Sequence, residues 1–355
     1  MLPGLGPRTL ATLLEHFHSP RAVLGASEQV LAEVPGVGTG LIHKIRHAGD
    51  YVDVDAILAW CAAADVELLT IDRKSYPRPL RDLCDAPPIL FCKGSVEQSD
   101  ELAVSIVGTR HATRYGLRQA ERIAYGLARA GITIVSGLAR GIDAAAHRGA
   151  LDAGGRTIAV LGGGLREIYP AEHEDLAKTI AKNGAVLSEF RPDARPRGGM
   201  FPQRNRLVSG LAMAVLVVEA PQRSGALITA RLAGEQGRDV YALPGQVTAR
   251  ASEGCHQLLR DGATLVRSAD DILEDLGPVA AAVPTDDGRQ LRNGAELLLN
   301  EQERAVLDAI ETECTSIDSV VTTSQLPVHR VLATISVLES RKLVRRLSGQ
   351  YVARA

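Results

Sequence analysis

The stretch Val135-Ser136-Gly137-Leu138-Ala139-Arg140-Gly141-Ile142-Asp143-Ala144-Ala145-Ala146-His147 carries residue types suited to holding an anion. Ile132 to Val135 is a β-branched run and reads as a buried strand. Ser136 to Gly141 sets two glycines around Arg140, and Ala144 to Ala153 reads as a helix. A strand, a glycine turn and a helix start aim free N–H groups and the positive end of the helix dipole at one spot. Arg140 adds a planar charge that matches phosphate. The spacing predicts a phosphorylated ligand, either a nucleotide or a nucleic-acid backbone.

Other turns share this character. Val107-Gly108-Thr109-Arg110-His111-Ala112-Thr113 follows one strand candidate, with Arg110 close to the next helix start. Gly162-Gly163-Gly164 follows another, and a turn ending in Ser224-Gly225 follows a later one. In an open α/β sheet such turns lie on the carboxyl edge, where ligands bind. Arg191 to Arg206 then decides between ligand classes. Arg191, Arg195, Arg197, Arg204 and Arg206 face a single acid, Asp193, and Phe201 and Asn205 lie among them. Arginines for phosphates and an aromatic ring for a base suit single-stranded nucleic acid. Gly198 and Gly199 suggest that Phe201 sits on an exposed, mobile loop.

Competing chemistries find less support. The first turn is not G-x-G-x-x-G, and the second strand ends in Ser136-Gly137 without an acid for a ribose diol, which disfavours a dinucleotide cofactor. His111, His147 and Asp143 flank the expected pocket, yet no Ser–His–Asp order, carboxylate pair or metal cluster emerges, so no catalytic residue, metal or cofactor is expected. Cys61, Cys84, Cys92, Cys255 and Cys314 lack C-x-x-C spacing and fit buried thiols of a reducing cytosol.

The elements that position these residues follow from the apolar pattern. Strands are expected at Ala103–Val107, Ile132–Val135, Thr157–Leu161, Ala185–Leu187, Ala214–Glu219, Val240–Leu243 and Thr264–Val266. Helices fall between them, at Tyr115–Ala130, Ile142–Ala153, Glu172–Lys182, Gln203–Gly210, Leu227–Gln236 and Cys255–Asp261. Uniformly apolar strands separated by helices predict an α/β fold, a Rossmann-like doubly wound parallel sheet covered on both faces. The chain has 355 residues, 45% hydrophobic and 23% charged, with a formal net charge of -2, so any nucleic-acid surface must be local. No signal peptide or spanning segment is visible, and a cytoplasmic protein is expected.

Two smaller modules flank this domain. Leu2-Pro-Gly-Leu-Gly precedes a helical pattern at Pro7 to Phe17, and Val34-Pro-Gly-Val-Gly precedes another at Leu41 to Ala48. A repeated hydrophobic-Pro-Gly-hydrophobic-Gly turn is similar to the helix-hairpin-helix, whose backbone meets DNA phosphate without reading bases. Residues 277–296 read as a linker, and 297–355 as three helices and a hairpin, the winged-helix order, with Arg330, Arg341, Lys342, Arg345, Arg346 and Arg354 against Glu339. The expected division is 1–50, a helix-hairpin-helix or SAM-like domain; 51–276, the Rossmann-like domain with a connecting segment; 277–296, the linker; and 297–355, the winged helix.

The central domain resembles a known family throughout. Val107-Gly-Thr-Arg110, Ser136-Gly-Leu-Ala-Arg-Gly-Ile-Asp-x-x-Ala-His147, Ile158-Ala-Val-Leu-Gly-x-Gly-Leu165, Tyr169-Pro170, Leu187-Ser-Glu189, Phe201-Pro-x-Arg-Asn-Arg206, Val218-Glu-Ala220, Ser224-Gly-x-Leu-Ile-Thr-Ala230, Gly237-Arg-Asp-Val240 and Pro244-Gly245 occur in the order of the DNA-processing protein A (DprA, or Smf) family. The resemblance implies a non-enzymatic protein that protects incoming single-stranded DNA in natural transformation, loads a RecA-type recombinase onto it, and forms homodimers through the Rossmann-like domain. It implies a phosphate pocket at Arg110 and Ser136–Gly141, including Gly137 and Arg140, and a stacking role for Phe201 beside Arg204 and Arg206. Two departures stand out. The family's lysine before the phenylalanine is Gly198 here, and its Tyr-Pro-x-x-Asn reads Tyr169-Pro-Ala-Glu-His173, which shifts phosphate load toward Arg195 and Arg197. The alternative is a nucleotide enzyme of the lysine-decarboxylase-like phosphoribohydrolase type. Its Pro-Gly-Gly-x-Gly-Thr turn is absent from Ala220-Pro-Gln-Arg-Ser-Gly-Ala226.

Overall fold

The computed structural model describes residues 2, 4–277, 283–284, 290–291, 299–310, 315–340, 343–347 and 351–354. Six helices come first: α1 (Pro7–Phe17), α2 (Pro20–Gly25), α3 (Glu28–Ala32), α4 (Thr39–Arg46), α5 (Ala48–Tyr51) and α6 (Val54–Ala63). Strand β1 (Glu67–Thr70), helix α7 (Arg78–Arg81) and strand β2 (Ile89–Gly94) follow. The alternating part runs β3 (Ala103–Val107), α8 (Arg114–Arg129), β4 (Thr133–Ser136), α9 (Ile142–Asp152), β5 (Thr157–Val160), α10 (Glu174–Lys182) and β6 (Gly184–Ser188). It continues through α11 (Met200–Gly210), β7 (Ala214–Val217), α12 (Gly225–Glu235), β8 (Asp239–Ala242), α13 (Glu253–Arg260), β9 (Thr264–Leu265) and α14 (Ala269–Leu276).

These strands form one nine-stranded sheet in the order β1-β2-β6-β5-β4-β3-β7-β8-β9. From β6 to β9 every neighbour is parallel, as the apolar runs predict. At one edge the sheet extends beyond the strands expected for it. The connecting segment before residue 100 supplies β1 and β2, which pair antiparallel with each other and with β6. At the sheet edge β1 is only partly covered, with Leu69 its one buried residue. Starting from β3, the chain winds outward to β6 and then returns to β7 on the other side. The topological switch point lies between β3 and β7, at their carboxyl ends.

Side chains of successive strand residues point to opposite faces and are covered there. Val104, Ile106, Ile134 and Leu216 meet Ile123 and Leu127 of α8, Ala145 and Ala146 of α9, and Ile272 of α14. Val107, Val135, Ile158 and Val215 meet Leu207 and Val208 of α11 and Ala226 and Ala230 of α12. Each such aliphatic side chain contributes about 1.5–3 kcal/mol on full burial. This two-sided core fixes the carboxyl edge as a rigid rim. Gly141 starts α9 with φ 76°, a conformation that glycine adopts without a Cβ penalty.

The flanking modules follow the sequence pattern more loosely. Gly4 and Gly36 form the two glycine turns at φ 89° and 83°, ahead of α1 and α4, and neither helix has a side-chain cap. Beyond α14, β10 (Val283–Pro284) pairs antiparallel with β11 (Gln290–Leu291), inside the stretch expected to be an unstructured linker. The remaining linker residues, Cys314, Arg341, Lys342 and Gly349 lie outside the described residues. The last module holds α15 (Glu301–Asp308), β12 (Thr315–Ser316), α16 (Ile317–Ser324), α17 (Val328–Ser340), β13 (Val344–Arg346) and β14 (Tyr351–Arg354) around its own apolar core. Arg354 donates to the Ile310 and Leu307 carbonyls and pairs with Asp308, and Arg346 pairs with Glu339. These two bases of the expected basic face brace the module itself.

His147 is fully buried in α9, so it does not flank a solvent pocket. The Thr157 hydroxyl donates to the Ile134 carbonyl, so it accepts from His147 Nδ1–H at 2.7 Å. Burial, with Arg204 nearby, pulls the imidazole down to about 3 from an ordinary 6.5. The folded state therefore binds fewer protons than the unfolded state between these values, and stability falls as pH drops from about 6.5 toward about 3. The expected contribution to the slope approaches 1.4 kcal/mol per pH unit. Chemical denaturation between pH 4 and 7 checks it: His147→Asn should flatten the acid slope, and an unchanged slope would refute the buried neutral imidazole.

Candidate nucleic-acid interface

Three carboxyl-edge segments converge with the start of α11. Arg110, Gly137, Ala139, Arg140, Tyr169, Pro170 and Phe201 line a shallow pocket there. Arg110 follows β3, the residues from Gly137 to Arg140 follow β4, and Tyr169 lies on the loop after β5. The exposed Arg110 places its guanidinium 4.8 Å from the centre of the Phe201 ring, a cation–π contact. Tyr169 lies 5.9 Å from the same ring, centre to centre. The remaining space is about 10 Å³, the size of one water. A base reaches Phe201 only when Arg110 moves aside.

Phe201 differs from expectation. It sits in the first turn of α11, half-buried against Gly162, rather than on a mobile loop. The helix starts three residues before the expected Gln203, because Gly198 and Gly199 end the preceding loop. This explains how the arginines divide. On a helix, positions i and i+3 share a face, whereas i+5 turns away. Arg204 thus lies beneath Phe201 toward the pocket, and Arg206 points elsewhere.

Arg204 is 4% exposed. Its guanidinium lies directly against Gly137, where any Cβ would collide with it. Its Nε has no hydrogen-bond partner, and it forms no ion pair among the described residues. Burial pulls it down to about 10, while Asp143 favours its charge and Arg110 opposes it. Asp143 is also buried, and its Oδ2 accepts the Gly137 and Ala139 N–H groups at 3.2 and 3.3 Å. Burial raises the Asp143 carboxyl against these contacts.

Several expected ligands are structural instead. The Gly137 N–H faces Asp143, so this turn does not offer it to a phosphate. Ser136 is fully buried and donates to the Ile106 carbonyl. Arg206 pairs with Glu189 at 2.5 Å and Asp85 at 3.3 Å, all within the protein. Burial pushes the Glu189 carboxyl up to about 7 against the pull of Arg206. Asn205 donates to the Gly225 carbonyl at 3.3 Å, and Ser224 caps α12 through the Ala226 N–H. The first bond ties α11 to α12 and the second is local to α12, and neither residue is in the pocket lining. Gly141 also stands outside that lining. Arg195 and Arg197 are exposed on the loop before α11, with Arg195 3.9 Å from Glu167. Arg140 lines the pocket but is held by Glu172, Nε to Oε1 and Nη2 to Oε2 at 2.9 Å. Tyr169 and Glu172 were not expected to take part. Their signal was an aromatic and an acid on the same carboxyl edge as the glycine turns.

The switch point itself is filled. The Glu219 carboxylate accepts the Thr113 N–H at 2.9 Å and the Thr113 hydroxyl at 2.6 Å, at the start of α8. It packs against Gly116. A dinucleotide pyrophosphate would need that same helix start. Among the described residues no cluster of His, Cys, Asp or Glu could hold a metal ion, and no helix is long and apolar enough to cross a membrane.

Fold and pocket together define a doubly wound α/β protein with an arginine-lined pocket at its carboxyl edge, joined to helix-hairpin-helix and winged-helix modules. Residues 67–277 match the family model of DNA recombination-mediator protein A, residues 292–350 the DprA winged helix domain, and residues 1–48 a SAM-like helix-hairpin-helix tandem. The chain belongs to the DNA recombination-mediator protein A family. It is 35% identical over 380 residues to protein Smf of Synechocystis sp., covering 98% of this chain and 94% of that protein. The solved DNA processing protein A of Streptococcus pneumoniae superposes with a TM-score of 0.66 at 37% identity, covering 76% of this chain and 93% of that one. A Helicobacter pylori structure, described as revealing the single-stranded DNA binding mode of DNA processing protein A, superposes with a TM-score of 0.54 at 33% identity. It covers 59% of this chain and 95% of that one.

The two arginine classes separate experimentally. Arg206→Ala leaves Glu189 buried without its counter-ion and should cost about 3–5 kcal/mol of stability. Arg110→Ala, at an exposed position, should cost no more than the cation–π contact it removes, about 0.5–1 kcal/mol. Urea denaturation of both variants checks the pair; equal stability losses would contradict the division.

Proposed function

We propose that this chain binds single-stranded DNA with little sequence preference and acts as a recombination mediator. In the full reading it protects incoming strands in natural transformation and loads a RecA-type recombinase onto them in the cytoplasm, as a homodimer through the Rossmann-like domain. The observation that carries the binding step is Arg204, a buried guanidinium without an ion pair among the described residues, beneath the pocket that Arg110 and Arg140 line. A buried positive charge that Asp143 offsets only in part favours a further anion nearby. Family membership supports the recombination role, and the Helicobacter pylori relative supports the choice of single strands.

The geometry suggests a sequence of events. A backbone phosphate takes Arg110, which leaves the Phe201 ring. A base then stacks on the exposed face beside Tyr169. Arg195 and Arg197, exposed next to α11, take neighbouring phosphates. Nothing in this step reads a base edge, so stacking and charge set affinity.

Gel shifts of single-stranded against blunt duplex oligonucleotides across a salt series test the reading. Single strands should bind more tightly, with affinity falling steeply as salt rises. Arg110→Ala should cost about 1.5–3 kcal/mol of binding. Phe201→Ala should cost about 1–3 kcal/mol, while Phe201→Tyr or Phe201→Trp keeps affinity. A flat salt response, or equal affinity for duplex, would sink the proposal.

A further inference from the structure

The pocket already holds an anion of its own. Glu172 presents both carboxylate oxygens to Arg140, one to Nε and one to Nη2 at 2.9 Å, the fork-on-fork geometry that a phosphate would use. Both side chains are 51% exposed, so the pair stands at the pocket mouth rather than in the core. Arg140 shares that pocket with Arg110, Tyr169 and Phe201, which have no carboxylate seated on them in this way. Glu172 belongs to the short turn Ala171–His173, whose His173 is anchored to the Leu138 carbonyl at 2.9 Å. The turn is thereby tied to the β4–α9 segment that carries Arg140, and the carboxylate is held at its guanidinium.

Building on the single-stranded DNA reading above, we propose that Glu172 is a specificity-determining residue. It fills the Arg140 corner as an internal phosphate surrogate, so that a polyanionic strand, and not an isolated phosphate, takes that corner. A lone phosphate must displace the carboxylate for one ionic contact in exchange for another, with no net gain. A strand already held at Arg110 delivers its next phosphate at high local concentration and wins the exchange. Arg140 holds the Glu172 carboxyl down to about 2, so the surrogate stays ionised at neutral and mildly acidic pH.

The test is a double-mutant cycle in the full-length protein, read by anisotropy of a fluorescein-labelled oligothymidylate of about twenty nucleotides, longer than one binding site. Glu172→Gln should tighten binding about two- to fivefold, the range of a surface ion pair. The logarithmic salt slope should change little, because the strand's phosphate takes the Arg140 corner in parent and variant alike. In the Arg140→Ala background the same substitution should change little. Inorganic phosphate should displace the oligonucleotide from Glu172→Gln at severalfold lower concentration than from the parent. The tightening ratio should be flat between pH 5 and pH 8, because the carboxylate does not titrate there. If Glu172→Gln binds no better than the parent, or tightens binding equally without Arg140, the surrogate role is overturned. A parent protein that binds no single strands would instead overturn the reading on which this proposal rests.

Discussion

A positive charge buried under a glycine turn organises this site. Arg204 reaches up from α11 and stops against Gly137, and the turn above it can close only because residue 137 has no Cβ. A guanidinium taken from water without a direct partner is costly, and its partial compensation is Asp143, buried on the same side. Asp143 in turn accepts the backbone N–H groups of Gly137 and Ala139. The β4–α9 turn, the α11 start and their charges therefore stand or fall together. Changing any one of Gly137, Asp143 or Arg204 disturbs the position of Phe201, which none of them resembles chemically.

The same economy appears at the switch point. A doubly wound sheet offers two backbone anion sites, one after β3 and one after β4. Here the first is taken by Glu219 and the second by Asp143. A nucleotide-binding protein of this architecture leaves such N–H groups free for pyrophosphate. With both occupied from within, the groups left to meet an anion are side chains: Arg110, Arg140 and the loop arginines. Side-chain capture is softer than a backbone cradle. It grips charge without fixing the orientation of a single small ligand, which suits a repeating backbone more than a cofactor.

The sheet, its helices and the gathering of turns on one edge were legible in the sequence, since each apolar run is buried on both faces and little else competes for it. Strand β3 falls on its expected residues. The pocket was legible only in part. Arg110, Arg140 and Phe201 meet because they follow strand ends or start a helix on the same edge. Ser136, Arg206, Asn205 and Ser224 were grouped with them from the glycine turns and the arginine-rich run to which they belong. Phosphate-like composition does not distinguish a side chain facing solvent from one that satisfies the interior. Arg204 and Arg206 show the difference: two residues apart, they diverge once α11 begins at Met200 rather than Gln203. Strand β2 was legible as the short apolar run Ile89–Cys92, but β1 was missed, because four residues paired at a sheet edge leave little periodic signal.

Arg110 and Phe201 then connect packing to binding. In the closed arrangement the guanidinium covers the ring, so the two groups that would meet a strand satisfy each other. A cation–π contact at an exposed site is worth about 0.5–1 kcal/mol, less than a charge-assisted bond to phosphate at about 1.5–3 kcal/mol. Exchanging one for the other is therefore downhill, and it frees the ring in the same movement. In the binding step proposed above, phosphate and base thus enter as one unit. A free base meets a covered ring, and a free phosphate gains no stacking. Duplex DNA, whose bases are already stacked on one another, offers only the first half of the exchange.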